Sequence, residues 1–171
     1  MSLTMHSASV PVFSRLLGNM LGWLDRAEAH AKARNFDPTN YLGLRLAPDM
    51  LPFTRQIQIA CDAAKNGIAR IGGIEAPKFD DTETTLAELK ARIGKTLDFL
   101  KTVPASALDG TETKDITFPV GKDATRTMQS EAFLKHWMLP NLFFHVTMAY
   151  AILRHNGVDL GKRDYLLGAA G

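Results

Sequence analysis

Apolar side chains in this chain return every three or four residues over long stretches, a spacing that restricts the fold to packed amphipathic helices. Val10, Phe13, Leu17, Met20, Leu21, Leu24 and Ala31 share one side of the first stretch, opposite Arg15, Asn19, Arg26 and His30. A helix is predicted from Val10 to Arg34, with Pro11 tolerated in its first turn because the missing N–H has no helical partner there. Segment 35–49 combines Asp-Pro, Asn, Gly and a further Pro, and reads as a connection.

A second helix is expected from Pro48 and Asp49, with Pro52 still in its first turn. Arg55, Gln58, Asp62 and Lys65 sweep one face of it, and Phe53, Ala60, Ala63, Ala64, Gly67 and Ile71 the other. Gln56 falls on the second, buried face, and Gly72-Gly73 ends the helix. A third helix is expected after Asp80, as cap, with Glu83 completing a capping box. Leu86, Leu89, Ile93, Leu97 and Leu100 form its seam, Glu88, Arg92 and Lys95 face water, and Pro104 stops it. Ile116, Phe118 and Val120 then alternate before Gly121-Lys122-Asp123, which predicts a small hairpin with Thr125–Met128. The fourth helix opens at Ser130 and closes at Asn156-Gly157. Pro140 interrupts it and frees the carbonyl of His136.

These elements predict an all-α fold over 1–171, one four-helix bundle domain with a small β-hairpin before the last helix. Beyond Pro140 the last helix is apolar nearly all round, so it is central or covered by a second subunit, and a homodimer is expected. Hydrophobic residues at 46% support a compact core, and 20 basic against 18 acidic side chains exclude a nucleic-acid-binding footprint at the level of composition. One cysteine, Cys61, excludes an internal disulfide and reads as a small residue at the core edge. The opening MSLTMHSASVPVF lacks the parts of an export signal, so a cytoplasmic protein is expected. The long stretch between Lys135 and Arg154 without acidic or basic groups contains His136, Pro140, Asn141 and His145, so it reads as a buried helix with no membrane role.

Polarity in the wrong place supplies the candidate site. At about 100° per residue, Asn141 and His145 share the face of Leu134, Met138, Met148 and Ile152 and point into the bundle. Burying such groups without partners costs about 1–3 kcal/mol, so they must bond to something. Gln56, beside the small Ala60 and Ala63, is the natural candidate across the interior. On one reading Gln56, Asn141 and His145 form a closed network that fixes helix register. On the other they line a cavity open to solvent that holds a metal ion or a small polar substrate, with His145 as acid/base and the amides orienting the ligand. Asp49, seven residues before Gln56 on the same stripe, would be a general base if it reached the cavity mouth. Neutral amides are poor zinc or nickel ligands, and His136 lies about 180° from His145 on the helix. His30 is expected on the wet side of the first helix, His155 as a cap, and His6 ahead of the first helix. The tail GVDLGKRDYL lacks phosphate-loop spacing, and Asp159, Lys162, Arg163, Asp164 and Tyr165 are expected to pack it onto the bundle.

The segments PNLFFHVTMAYAILRHNGVDLGKRDYL (140–166) and LAPDMLPFTRQIQIACDAAK (46–65) resemble an uncharacterised bacterial family, domain of unknown function nineteen ninety-three, across nearly the whole chain. That family is similar to the DinB/YfiT-like superfamily of metalloenzymes. The resemblance implies a four-helix bundle in up-down-down-up order and homodimers. In some relatives it extends to thiol-dependent transferases or isomerases with a three-histidine site for zinc or nickel. The relatives' last helix carries histidines four apart, the second twelve residues before a terminal glycine. His145 stands twelve before Gly157 and matches that second position, the first falls on Asn141, and the second-helix histidine falls near Gln56. The resemblance thus places its metal position on the same three residues, with amides at two of them.

Overall fold

The computed structural model describes residues 3–168. Helix α1 spans Val10–Ala33, as the periodicity predicts, with Pro11 in its first turn. A 3-10 turn, Pro38–Tyr41, follows, and α2 spans Phe53–Gly72. It begins later than Pro48 and Asp49, because a proline pushes the residue before it out of the helical region and Pro52 does this to Leu51. Pro52 is itself extended, and Phe53 N–H donates to Leu44 O at 2.8 Å. Asp49 therefore lies exposed in a turn, off the stripe that carries Gln56. At the far end Gly73 adopts φ 63°, the left-handed stop that glycine permits.

Helix α3 spans Leu86–Thr102 and also starts later than expected. Thr85 is the cap: its side chain accepts from Glu88 N–H at 3.1 Å, and Glu88 Oε2 accepts from Thr85 N–H at 3.1 Å. Asp80 and Glu83, assigned to that role from the sequence, serve Arg92 instead. Thr85→Ala is expected to lower the unfolding free energy by about 1 kcal/mol in urea titrations, since it orphans a first-turn donor.

A short helix α4, Ala105–Leu108, leads to strands β1 (Asp115–Val120) and β2 (Ala124–Gln129), antiparallel with Ile116 opposite Met128 and Phe118 opposite Arg126. The expected hairpin is present. Ile116 and Phe118 are buried, and the Phe118 ring meets Phe133 and Trp137. The last long helix is continuous but changes pitch: α5 (Ser130–Phe133), a π turn (Leu134–Met138) and α6 (Leu139–His155). Leu139 N–H reaches back five residues to Leu134 O. A wider turn of this kind accommodates the donor that Pro140 lacks, so the interruption takes the form of a π segment. Helix α7, Lys162–Leu167, closes the fold.

The long helices share one core: α1 packs against α3 and α6, and α2 also packs against α3 and α6. Phe13, Leu17, Phe53, Leu89, Ile93 and Val146 are buried there. Helices α2 and the π turn approach so closely at Gly67 that a β-carbon there would strike the end of Met138. The tail is tied to α1: Asn19 Nδ2 donates to Tyr165 O at 2.7 Å, Arg26 pairs with Asp164 at 2.8 Å, and Tyr165 stacks on Trp23. Lys162 and Arg163 take no part and are exposed. Asn19 is thus buried, contrary to its expected wet face, and half-buried His30 bonds through Nδ1 to the Tyr41 hydroxyl. His6 N–H donates to Asp109 at 2.8 Å, and His155 is exposed in the last turn of α6. Among the described residues no helix is long and apolar enough to cross a membrane.

Candidate functional site

Two of the residues singled out by sequence meet directly. His145, on α6, and Gln56, in the first turns of α2, are 8% and 1% exposed, and His145 Nδ1 lies 2.8 Å from Gln56 Oε1. The direction of this bond follows from the rest of the amide. Gln56 Nε2 donates to Leu51 O at 2.9 Å, so the amide oxygen must accept, and His145 Nδ1 must carry the proton. The reversed amide would set its oxygen against the Leu51 carbonyl, two acceptors face to face. Burial and then the nearby Arg55 charge pull the His145 pKa down to about 4. At neutral pH the ring is therefore an uncharged Nδ1–H imidazole. Its Nε2 has no hydrogen-bond partner among the described residues.

Asn141 stands one turn before His145 but joins neither residue of this pair. It is half-buried and lines a separate cleft with Asp62, Ala63 and Arg70 of α2. Asp49 is exposed in the turn before α2 and makes no hydrogen bond or ion pair with either residue. Of the four candidates, the fold thus unites Gln56 and His145 and sets Asn141 and Asp49 apart.

These donors, as arranged, do not fit a three-ligand zinc or nickel centre. The Gln56 oxygen is committed to His145 and its nitrogen to a backbone carbonyl. Among the described residues no group of three or more His, Cys, Asp or Glu side chains is placed to hold a metal ion. The thiol of Cys61 is fully buried, and desolvation pushes its pKa up to about 12, so it is no thiolate at neutral pH.

An extended polar cluster around Arg92 was not expected from the sequence. Arg92, expected to face water, is 2% exposed between α3, α2 and the crossover before α3. Its Nη2 lies 3.0 Å from both Asp62 and Asp81, and its Nη1 lies 2.9 Å from Glu83 and 3.2 Å from Asp80 O. Gln58, also buried, donates to Glu83 at 2.7 Å and accepts from Arg55 at 2.7 Å, while Arg55 pairs with Asp81. Lys65 reaches Asp62 at 3.2 Å, and the Phe79 ring covers both Lys65 and Arg92. Burial pushes the Asp81 and Glu83 carboxyls up, but their hydrogen bonds and the guanidinium charges outweigh it and hold both below the usual range. A signal existed in the sequence: the α2 stripe Arg55, Gln58, Asp62, Lys65 carries charges of both signs where another helix must pack, and Arg92 adjoins seam residues Leu89 and Ile93. The cluster pins the crossover across two helices.

A family model described as Domain of unknown function (DUF1993) matches residues 5–166. Among solved structures, the chain is similar to the crystal structure of a DinB family member protein from Shewanella denitrificans, at 42% identity and a TM-score of 0.88. That match covers 94% of this chain and 90% of the other. No curated protein sequence matches the chain.

Proposed function

The chain belongs to the DUF1993 family, and on that premise we propose a cytoplasmic, homodimeric DinB-like protein that binds or scaffolds and does not catalyse at the superfamily's metal position. Its long helices form a four-helix bundle in up-down-down-up order, a reading supported by the closed cycle of contacts in which α1 and α2 each pack against α3 and α6. One observation carries the functional reading: the His145–Gln56 bond is internal, and the Gln56 amide is satisfied at both ends. A pair of this kind fixes the register of α6 on α2 and the path of the chain entering α2. Neither residue lines the cleft that contains Asn141.

Gln56→Leu tests this. The substitution leaves His145 Nδ1–H and Leu51 O without partners, and is expected to cost about 2 kcal/mol of unfolding free energy in urea. His145→Ala is expected to lower the melting temperature equally with and without added zinc or nickel. A variant Gln56→Leu as stable as the parent, or a loss in His145→Ala seen only with metal, would move the function back to the site itself. That second reading, a small polar substrate engaged by His145 as base, is favoured by the unpartnered Nε2 of the neutral imidazole. The homodimer is supported by Phe143 and Phe144, 41% and 52% exposed on α6. Light scattering at micromolar concentration is expected to give twice the 18.8 kDa chain mass, and a monomer mass removes the dimer from this proposal.

A further inference from the structure

We propose that the cleft between α2 and the π turn is a binding site for a small monocarboxylic acid with a flat apolar body, its carboxylate held by Arg70 on the side of the cleft that also carries polar Asn141. The cleft has a volume of about 230 Å³, below the usual size of drug-binding pockets and suited to a compact molecule. Arg70 comes from α2, Trp137 and Met138 from the π turn, Asn141 from α6 and Phe133 from α5. Three of these carry polar groups that make no hydrogen bond or ion pair with any other described residue: the Arg70 guanidinium, the Asn141 amide and the Trp137 indole N–H. Gln56, Gln58, Asn19 and Asn156 all find protein partners, whereas these three part-exposed groups around one cavity remain available to a ligand.

The ligand's charge follows from the cleft's electrostatics. Asp62 also lines it, but Arg92 at 3.0 Å and Lys65 at 3.2 Å already neutralise that carboxylate. Arg70 is then the one charge of the cleft, among the described residues, without a counter-ion. Burial draws its pKa below the usual arginine value, as expected of a guanidinium partly stripped of water with no anion beside it. A guanidinium fork matches a carboxylate through two parallel N–H···O bonds. With one guanidinium as the cleft's uncompensated charge, a singly charged acid fits better than a dianionic phosphate monoester. The walls of Phe133, Trp137 and Met138 are aromatic or polarisable and suit a flat apolar body. The π turn that presents Trp137 and Met138 is a helix irregularity of the sort that recurs at functional sites.

Sodium benzoate is the probe, and the two indole N–H resonances of the uniformly nitrogen-15-labelled full chain are the readout, with Trp137→Phe assigning one of them. Benzoate is expected to shift the Trp137 resonance saturably while that of Trp23, buried against α7, stays in place. Acetate, which lacks the ring, and benzamide, which lacks the charge, are expected to bind at least about tenfold more weakly, as is benzoate to Arg70→Gln. Asn141→Asp, which places a second carboxylate in the cleft, is expected to weaken benzoate similarly. An absent or non-saturating shift, acetate or benzamide binding as tightly as benzoate, or unchanged affinity in Arg70→Gln would overturn the proposal. In the last case Arg70 would serve only the negative C-terminal end of α2. None of these outcomes depends on Gln56 or His145, so the cleft and the packing role of that pair stand or fall separately.

Discussion

Arg92→Ala is expected to lower the unfolding free energy by about 3–4 kcal/mol, the largest effect of any single charge removal in this protein. The physical reason is the set of groups left behind. Glu83, whose side chain is 11% exposed, loses its principal counter-ion, and Asp62 and Asp81 lose a shared one. Asp62 and Asp81 are 34% and 40% exposed and regain some water, which keeps the loss at the lower end of the range for broken buried pairs. Arg92→Lys should recover only part of the loss, because one ammonium lacks the planar fork that reaches three carboxylates and the Asp80 carbonyl. Lys101→Ala is the control. Its pair with Asp98 has side chains 73% and 75% exposed, and its removal should be almost silent in the same urea titrations. A loss in Arg92→Ala as small as in Lys101→Ala would mean that the crossover is not held by this cluster.

Between pH 6.5 and 4 the fold is expected to lose on the order of 3 kcal/mol through His145 alone. In the unfolded chain the imidazole takes up its proton near its ordinary value of 6.5, whereas in the folded protein burial and Arg55 delay this to about 4. In that window the unfolded state binds more protons, so acid favours unfolding; below about 4 this contribution stops growing. Asp81 and Glu83 act lower on the scale. Their depressed values add stability that is present above the ordinary carboxylate range and lost as pH falls through their folded values. Thermal melts of the parent and His145→Ala across this range test the first component. The parent's stability should fall steeply from pH 6.5 to 4 and that of His145→Ala much less. Parallel profiles would show that the buried imidazole does not carry the acid sensitivity.

The helices that give these predictions their setting were legible because apolar periodicity records which side of each helix avoids water. Val10–Ala33, the Leu86–Leu100 seam and the Ile116/Phe118 hairpin needed nothing more. Starts of helices were less legible. Asp80 and Glu83 look like a capping box by spacing, yet Thr85 and Glu88 form it, because Arg92 draws the first pair away. Pro48 suits a first turn by itself, but Pro52 keeps Leu51 extended and delays α2 to Phe53.

The candidate site divides along the same line. By itself the sequence determined that Gln56 and His145 face inward, since each falls among apolar neighbours at helical spacing. Only the tertiary structure decided that the two bond to each other, that Asn141 opens instead onto the Arg70 cleft, and that Arg92 is interior. Inward direction is a property of one helix and its own periodicity. Partnership between polar groups depends on the rotation and axial offset of two helices, here set by the π turn before Pro140 and the close approach at Gly67, to which hydrophobic spacing along either helix is blind.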